Sequence, residues 1–128
     1  MTRRTIDVEG FNHGDQPVPA AARIGKLLVT GGIFGLDPET GIIPDEADAQ
    51  CTLMFHNLFR ILEEGGATID HIVRLTFYTS RSVPKDVINA KWLETFPEPQ
   101  NRPARHIIIN DHLIGNTLML CEVIALVE

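Results

Sequence analysis

Apolar residues recur along the chain at spacings that predict two helices and at least four strands. Residues 45–66 carry apolar side chains at steps of three and four, which is typical of a helix with one buried stripe. Residues 83–96 predict a second helix, with Pro84 near its first position. Strands are predicted where β-branched and apolar residues cluster: 26–35, 71–80, 104–110 and 117–127. The order is roughly β-β-α-β-α-β-β, which predicts an α+β domain with a mixed sheet and both helices on one face.

The last predicted strand is apolar on both of its faces. Alternate side chains of a strand point to opposite sides, and one side here carries Leu118, Leu120, Ile124 and Leu126, with Glu122 among them. The other side carries Met119, Cys121, Val123, Ala125 and Val127. We therefore expect both faces to be buried. Two helices can cover only one face of so small a sheet, so a second copy of the chain is the simplest cover for the other.

A glycine pair, Gly31 and Gly32, interrupts the first of these strands. Glycine inside a strand predicts a bulge, or the close approach of another backbone or a ligand. Residues 11–22 contain Gly, Pro and Asn and predict an irregular loop, and residues 37–41 (DPETG) predict a turn.

Length, charge and cysteine content narrow the class of protein. The 128 residues fit one domain, 1–128, and the formal net charge of −6 comes from 17 acidic and 11 basic residues without a long basic run. That balance argues against nucleic acid or an anionic membrane as a partner, since both need a concentrated basic face. No apolar run has the length of a signal peptide or a membrane span, so we expect a cytoplasmic protein. Cys51 and Cys121 lack a CxxC context and are expected to be reduced thiols.

Two charged residues stand in strands that are otherwise apolar. Arg105 lies at the head of 104–110, where a guanidinium is rarely placed without a carboxylate or phosphate to bind. Glu122 lies inside 117–127, where a carboxylate costs several kcal/mol unless it is paired or neutralised. Two interpretations remain open for Glu122: a structural ion pair with Arg105 or Arg74, or an acid/base that acts on a proton or water at the edge of a pocket.

Other chemistries find little support in the sequence. The five histidines are not spaced as metal ligands, so no metal site is predicted. Cys121 alternates with Glu122 and faces away from it, which leaves no sign of a Cys–His nucleophile pair. The glycine pair lacks the spacing of a phosphate-binding loop. His13 is expected to be solvated in its loop, and Trp92 is expected to belong to the core.

Four sequence segments span nearly the whole chain in order: LVTGGIFGLDPETG, NAKWLETFP, RPARHIII and CEVIALV. Together they resemble the reactive intermediate deaminase (Rid, or YjgF) family, most specifically at RPAR and in the turn DPETG. The resemblance implies a RidA-like protein with a chorismate-mutase-like α+β fold. It also implies a homotrimer with three pockets at the subunit interfaces, which would account for the second apolar face of the sheet.

The resemblance also implies roles for individual residues. Arg105 occupies the place of the family arginine that binds the carboxylate of a 2-imino or enamino acid, and Glu122 that of the glutamate that positions or activates the attacking water. A planar guanidinium suits such a carboxylate because it can donate two parallel hydrogen bonds. The same resemblance assigns substrate contacts to Gly31, Gly32, Asn89, Val18 and the backbone at Ile107.

At four positions the chain departs from the better-known enzymes of the family. Val18 stands where they have a tyrosine, Gly31 where they have a serine, Ile33 where they have a glutamine, and Ile107 where they often have a cysteine. These changes remove polar groups. We therefore expect a more apolar pocket and a preference for apolar imino acids.

The activity that the resemblance implies is hydrolysis of a C–N bond, in which a 2-imino or 2-enamino acid gives a 2-oxo acid and ammonia. No cofactor is expected, because an imine is already electrophilic. The alternatives are a pathway-specific deaminase or hydrolase for a bulkier apolar intermediate, and a non-catalytic trimer that binds small carboxylates. An older label of the family, translation-inhibiting ribonuclease, agrees poorly with the acidic charge of this chain.

Overall fold

The computed structural model describes residues 1–128, which form one seven-stranded sheet and two α-helices. The strands are β1 (Arg4–Ile6), β2 (Ala21–Ile24), β3 (Leu27–Thr30), β4 (Ile33–Phe34), β5 (Ile72–Thr79), β6 (Ala104–Ile109) and β7 (Met119–Leu126). Their spatial order is β1-β2-β3-β7-β5-β6, and β4 also pairs with β7. Every pairing is antiparallel except that of β5 with β6. The predicted mixed sheet of an α+β fold is confirmed.

The helices are α1 (Ala47–Glu64) and α2 (Lys85–Thr95), and a short 3-10 turn follows α1 at Ile69–His71. α1 buries one apolar stripe, to which Met54, Leu58, Ile61 and Leu62 belong. Gly66, just beyond its end, has a left-handed φ of 79°, a conformation that favours glycine. Both predicted helices are confirmed to within two residues at each end. Neither combines the length and the hydropathy that a bilayer crossing requires.

A bulge at the glycine pair divides the long strand predicted there into β3 and β4. β3 pairs with β7 as far as Val29 opposite Ile124, and β4 resumes at Ile33 opposite Cys121. Residues 30–32 therefore lie opposite only two residues of β7, which is the arrangement of a β-bulge. The predicted bulge is confirmed. The prediction of one continuous strand over 26–35 is wrong, because the bulge divides it.

The N-terminal part of the chain is more regular than its composition indicates. The irregular loop predicted at 11–22 ends two residues early, because Ala21 begins β2. β2 pairs with β3, and β1 pairs with β2 at the edge of the sheet. The other predicted strands agree with β5, β6 and β7 to within two residues at each end.

Both helices pack on one side of the sheet, which we call the helix-covered face. Phe77 of β5 packs there against Phe55 of α1 and Trp92 of α2, with ring centroids 5.9 and 6.4 Å away. No β7 residue on this face is more than 1% exposed: Met119, Cys121, Val123 and Ala125. This side of the sheet is the hydrophobic core.

The opposite side of the sheet, which we call the open face, is not covered by either helix. Its β7 residues are partly or largely accessible: Leu120, Glu122, Ile124 and Leu126. Leu126 is 53% exposed, and its neighbours on β3, Leu27 and Val29, are 47% and 41% exposed. Both faces of β7 were expected to be buried. Within one protomer only the helix-covered face is buried, because both helices lie on the same side of the sheet.

Candidate functional site

Arg105 lies on β6 with its side chain on the side of the sheet that carries the helices. Its Nη1 donates a hydrogen bond of 2.8 Å to Oδ1 of Asn89 on α2. The guanidinium carbon lies 4.9 Å from the centroid of the Trp92 ring, which is a cation–π contact. Burial lowers the pKa of Arg105 from its ordinary value, but a guanidinium remains charged at neutral pH. α2 thus holds a cation in place through one amide and one aromatic ring.

A cavity of about 460 Å³ opens beside Arg105. Arg81 also lines this cavity, but it forms an ion pair of 3.6 Å with Asp111. Arg105 forms no ion pair within the protomer, and its side-chain partner is the neutral amide of Asn89. Its remaining N–H groups are therefore available to an anion with two oxygens, such as a carboxylate. The apolar part of the lining includes Ile88, Ile107 and Ile109.

Glu122 lies on the open face, across the sheet from Arg105. On β5, Leu75 is the register partner of Arg105, and Thr76 is the register partner of Glu122. Residues paired in register share a face, whereas consecutive residues of a strand point to opposite faces. Arg105 and Glu122 of one protomer are therefore separated by the sheet and cannot contact the same small molecule.

The partner of Glu122 is Tyr78, whose hydroxyl donates a hydrogen bond of 2.9 Å to Oε1. Within the protomer, neither Arg105 nor Arg74 forms an ion pair with Glu122, so a structural ion pair inside one chain is wrong. The hydrogen bond to Glu122 raises the pKa of Tyr78, and the negative charge of the carboxylate adds to this effect. The phenol is therefore protonated at neutral pH and acts as the donor.

The glycine bulge lies on the strand next to Glu122. Apart from chain neighbours, a Cβ added at Gly31 would have no atom nearer than 3.7 Å, and one at Gly32 none nearer than 3.5 Å. Both are ordinary contact distances, so no other backbone of the chain requires glycine here. The close backbone approach offered as an alternative to the bulge is wrong within the protomer, and the glycines leave bare backbone opposite the Glu122 position of β7.

His13 is half-buried beside the bulge and is not the solvated residue that its loop composition predicts. Its Nε2 lies 2.7 Å from the carbonyl oxygen of Gly32, and because a carbonyl only accepts, this nitrogen carries the donated proton. Its ring packs edge-on against Phe11 and Phe34, at centroid distances of 5.4 and 5.6 Å. These contacts hold the start of the loop against the bulge.

A second cavity, of about 610 Å³, lies beside the bulge. His13, Gly32 and Leu120 line it together with residues of the segment 110–117. Gly32 and Arg105, which the sequence assigns to one site, thus line different cavities of the protomer.

Two residues that were expected to shape the pocket lie elsewhere in the protomer. Val18 is 53% exposed and lines neither of the two cavities. Ile33 is fully buried in the core, opposite Cys121. The expectation that Ile33 makes a pocket more apolar, because it stands in place of a glutamine, is therefore wrong within the protomer. Asn89 and Ile107 do lie with Arg105, as the sequence predicts.

The two thiols do not contribute a nucleophile. Both cysteines are free and buried. Burial raises the pKa of Cys51 to about 12 and also raises that of Cys121. The thiolate is the reactive form, so neither side chain is reactive at neutral pH.

Sequence reasoning missed two residues of the site. Trp92 was assigned to the core alone, although it lies three residues after Asn89 on one helix, a spacing that puts both side chains on the same face. Tyr78 carried no local signal, because its contact with Glu122 depends on the pairing of β5 with β7.

Comparison with known proteins places the chain in one family. The model of the family described as Endoribonuclease L-PSP matches residues 16–127. A RutC family protein of Pyrococcus abyssi is 30% identical over 100% of both chains. A 2-iminobutanoate/2-iminopropanoate deaminase of Salmonella typhimurium is 25% identical, over 74% of this chain and 74% of that one. The structure of a Rid family protein from Yersinia pestis, 23% identical, superposes with a TM-score of 0.89 over 98% of this chain and 100% of that one.

The family match runs from before β2 to the end of β7 and includes the glycine bulge, Arg105 and Glu122. The structural match shows that the same arrangement of one sheet and two helices is shared along the chain. The chain belongs to the Endoribonuclease L-PSP family, which is the Rid, or YjgF, family that its sequence segments resemble.

Proposed function

We propose that the protein is a deaminase that hydrolyses small, apolar 2-imino or 2-enamino acids. Family membership supports this activity, because a relative at 25% identity is a 2-iminobutanoate/2-iminopropanoate deaminase. The observation that carries the proposal is a pair of charged side chains that each keep unused hydrogen-bonding groups. Arg105 keeps donors for a carboxylate, and Glu122 uses one carboxylate oxygen in the protomer and keeps the other for water.

In the proposed reaction, Arg105 binds the substrate carboxylate through parallel hydrogen bonds. Glu122 accepts a proton from a water molecule as the water oxygen forms a bond to the imine carbon. That proton passes to the nitrogen and gives an intermediate with a hydroxyl and an amine on one carbon. The hydroxyl proton then moves to the amine, the C–N bond breaks, and ammonia leaves as the carbonyl forms. One imine and one water thus give one 2-oxo acid and one ammonia, without a cofactor.

The proposed site lies between two protomers. Arg105 and Glu122 of one protomer are on opposite sides of the sheet, so a substrate that contacts both must be shared with a second copy. The open face provides an apolar surface for that copy, and covering it would bury Leu27, Val29 and Leu126. In a homotrimer, Arg105 of each protomer meets Glu122 of the next, and closed symmetry makes the three sites equal.

A non-catalytic trimer that binds small carboxylates would use the same arginine. It would have no use for Glu122, and an unused carboxylate in an apolar strand is costly. The family description names an endoribonuclease, but a net charge of −6 is poorly suited to a chain of RNA phosphates. These charges favour the deaminase over both alternatives.

A mixing experiment tests the activity and the shared site together. An amino-acid oxidase generates the imino acid from leucine in situ, and the acceleration of 2-oxo acid formation is measured. Arg105→Ala and Glu122→Gln proteins should each be inactive. After subunit exchange between them, random assembly of trimers leaves about a quarter of the sites with both native residues, so about a quarter of the wild-type activity should return.

The controls separate the alternatives. Exchange is verified by mass spectrometry of trimers assembled from differently tagged variants. Verified exchange without any return of activity would place each site within one protomer and contradict the shared site. A wild-type protein that binds 2-oxo acids in calorimetry but does not accelerate imine hydrolysis would establish the non-catalytic alternative.

A further inference from the structure

Tyr78 and Glu122 are diagonal neighbours on the open face. Thr76 pairs in register with Glu122, and Tyr78, two residues further along β5, pairs with Leu120. Diagonal neighbours of an antiparallel pair are within reach of an aromatic side chain. The phenol of Tyr78 spans this diagonal and places its hydroxyl 2.9 Å from Glu122 Oε1.

The hydrogen bond restrains a side chain that would otherwise rotate. A glutamate has three side-chain torsions, and it loses their freedom when its carboxylate is held in one place. Fixing Oε1 also fixes the direction in which Oε2 presents its lone pairs. Oε2 accepts no hydrogen bond within the protomer, so it is the oxygen left to meet a water molecule.

The groups around this pair do not replace the tyrosine. Arg74 lies on the same face of β5, two residues before Thr76, and forms no ion pair with Glu122. His106 of β6 pairs with Thr76 on the same face and is exposed. Tyr78 is therefore the one side chain of the protomer that donates a hydrogen bond to Glu122.

We infer that Tyr78 is a positioning residue of the reaction, which holds the Glu122 carboxylate so that Oε2 faces the attacking water. The inference rests on the proposed function and adds to it a residue that the family resemblance does not supply. Tyr78 acts through Glu122 and leaves the binding of the substrate carboxylate to Arg105. Its loss should therefore reduce the rate of the bound complex and not the affinity for substrate.

Steady-state kinetics with Tyr78→Phe test the inference, since this change removes only the hydroxyl. We expect kcat for a leucine-derived imine to fall by about tenfold, because a misplaced catalytic group loses rate steeply with distance. KM and Tm should stay close to those of the wild type. Thr95→Val, which removes a hydroxyl that donates to the Lys91 carbonyl oxygen on α2, should leave kcat unchanged.

A double-variant comparison shows whether Tyr78 acts through Glu122. Tyr78→Phe should have no further effect on the residual rate of the Glu122→Gln protein, because the group that it positions is already inactive. A tenfold loss in both backgrounds would show that Tyr78 acts on something else. A kcat unchanged by Tyr78→Phe in the native background would overturn the inference while leaving the proposed function intact.

A spectroscopic titration tests the pair independently of activity. Tyr78 is the only tyrosine of the chain, so the absorbance of phenolate reports this residue alone. Because the carboxylate raises the pKa of Tyr78, Glu122→Gln should lower the titration midpoint. A midpoint that does not move would show that the hydrogen bond is not formed in solution and would overturn the inference. A wild-type protein without imine hydrolysis, in contrast, overturns the proposed function and the inference with it.

Discussion

Val123 and Ile124 are neighbours on β7, yet they lie in different environments. Val123 is 1% exposed among the core residues, whereas Ile124 is half-buried on the face that carries Leu126, which is 53% exposed. Burial of Val123 stabilises the protomer, because helices cover it. The apolar surface around Ile124 contributes little to the stability of the protomer, because it stays accessible to solvent. Contiguous exposed apolar surface commonly marks an interaction site. The two faces of one strand therefore serve the fold and the proposed assembly separately.

The same division separates the two charged residues. Arg105 lies on the helix side, where Asn89 and Trp92 hold it. Glu122 lies on the open side, where its partner is Tyr78. A chain that places the two halves of a site on opposite sides of a sheet can complete the site only with another copy, which links catalysis to assembly in the proposed function.

The largest effect should come from placing a charge on each face of β7 in turn. Val123→Asp puts an unpaired carboxylate in the core, at a cost of several kcal/mol, and should lower Tm by more than about 10 °C or prevent folding. Ile124→Asp should leave a folded protein, as judged by circular dichroism, but sedimentation should show a monomer without activity. A trimer that tolerates Ile124→Asp would show that the open face is not the interface.

The next largest effect should distinguish the roles of Arg105 and Arg81, the two arginines that line one cavity. Arg105→Ala should lower kcat/KM by about a hundredfold or more, because a charge-assisted pair is lost and each tenfold corresponds to ~1.4 kcal/mol. Arg81→Ala should have little effect, since Arg81 already pairs with Asp111. Arg105→Lys should restore little, because an ammonium cannot form two parallel hydrogen bonds. A large fall in Tm for Arg105→Ala, with activity retained by the folded fraction, would mean that Arg105 has a structural role.

A smaller effect should follow from changes to the residue that holds Arg105. Asn89→Ala removes the acceptor of the 2.8 Å hydrogen bond from Arg105. KM should rise by about threefold, because the guanidinium is then oriented less well for the substrate carboxylate. Asn89→Asp places a carboxylate at the guanidinium, where it competes with the substrate, and should raise KM by about tenfold or more. If both changes gave the same KM, Asn89 would not control access to Arg105.

The elements of the fold could be predicted from the sequence because their patterns are local. The stripe of α1 and the alternation of 117–127 each lie within a few neighbouring residues, and each is confirmed. The alternation also indicated correctly that Cys121 faces away from Glu122, as burial of the thiol on the helix-covered face confirms.

The site could be predicted only in part, because its contacts are not local. The pairing of β5 with β6 on one side and β7 on the other puts Arg105 and Glu122 on opposite faces, and no local pattern specifies that pairing. The same pairing brings Tyr78 to Glu122, and neither interpretation of this carboxylate had included that partner. The environment of His13 was predicted wrongly for a similar reason, since its partner Gly32 lies 19 residues away along the chain.

The smallest effect concerns the apolar lining beside Arg105. Ile107 lies in that cavity and is 37% exposed, with Ile88 and Ile109 also in its lining. An apolar lining should favour a leucine-derived imine over an alanine-derived one by about tenfold in kcat/KM, since each buried methylene contributes to transition-state binding. Ile107→Ser should reduce this ratio by about fivefold and leave the rate with the alanine-derived imine nearly unchanged. Ile42→Ser makes the same change at a residue that is 64% exposed and outside both cavities, so it should leave the ratio unaltered. If the wild type hydrolysed only the smallest imines, or if Ile107→Ser left the ratio unchanged, the cavity beside Arg105 would not hold the substrate side chain.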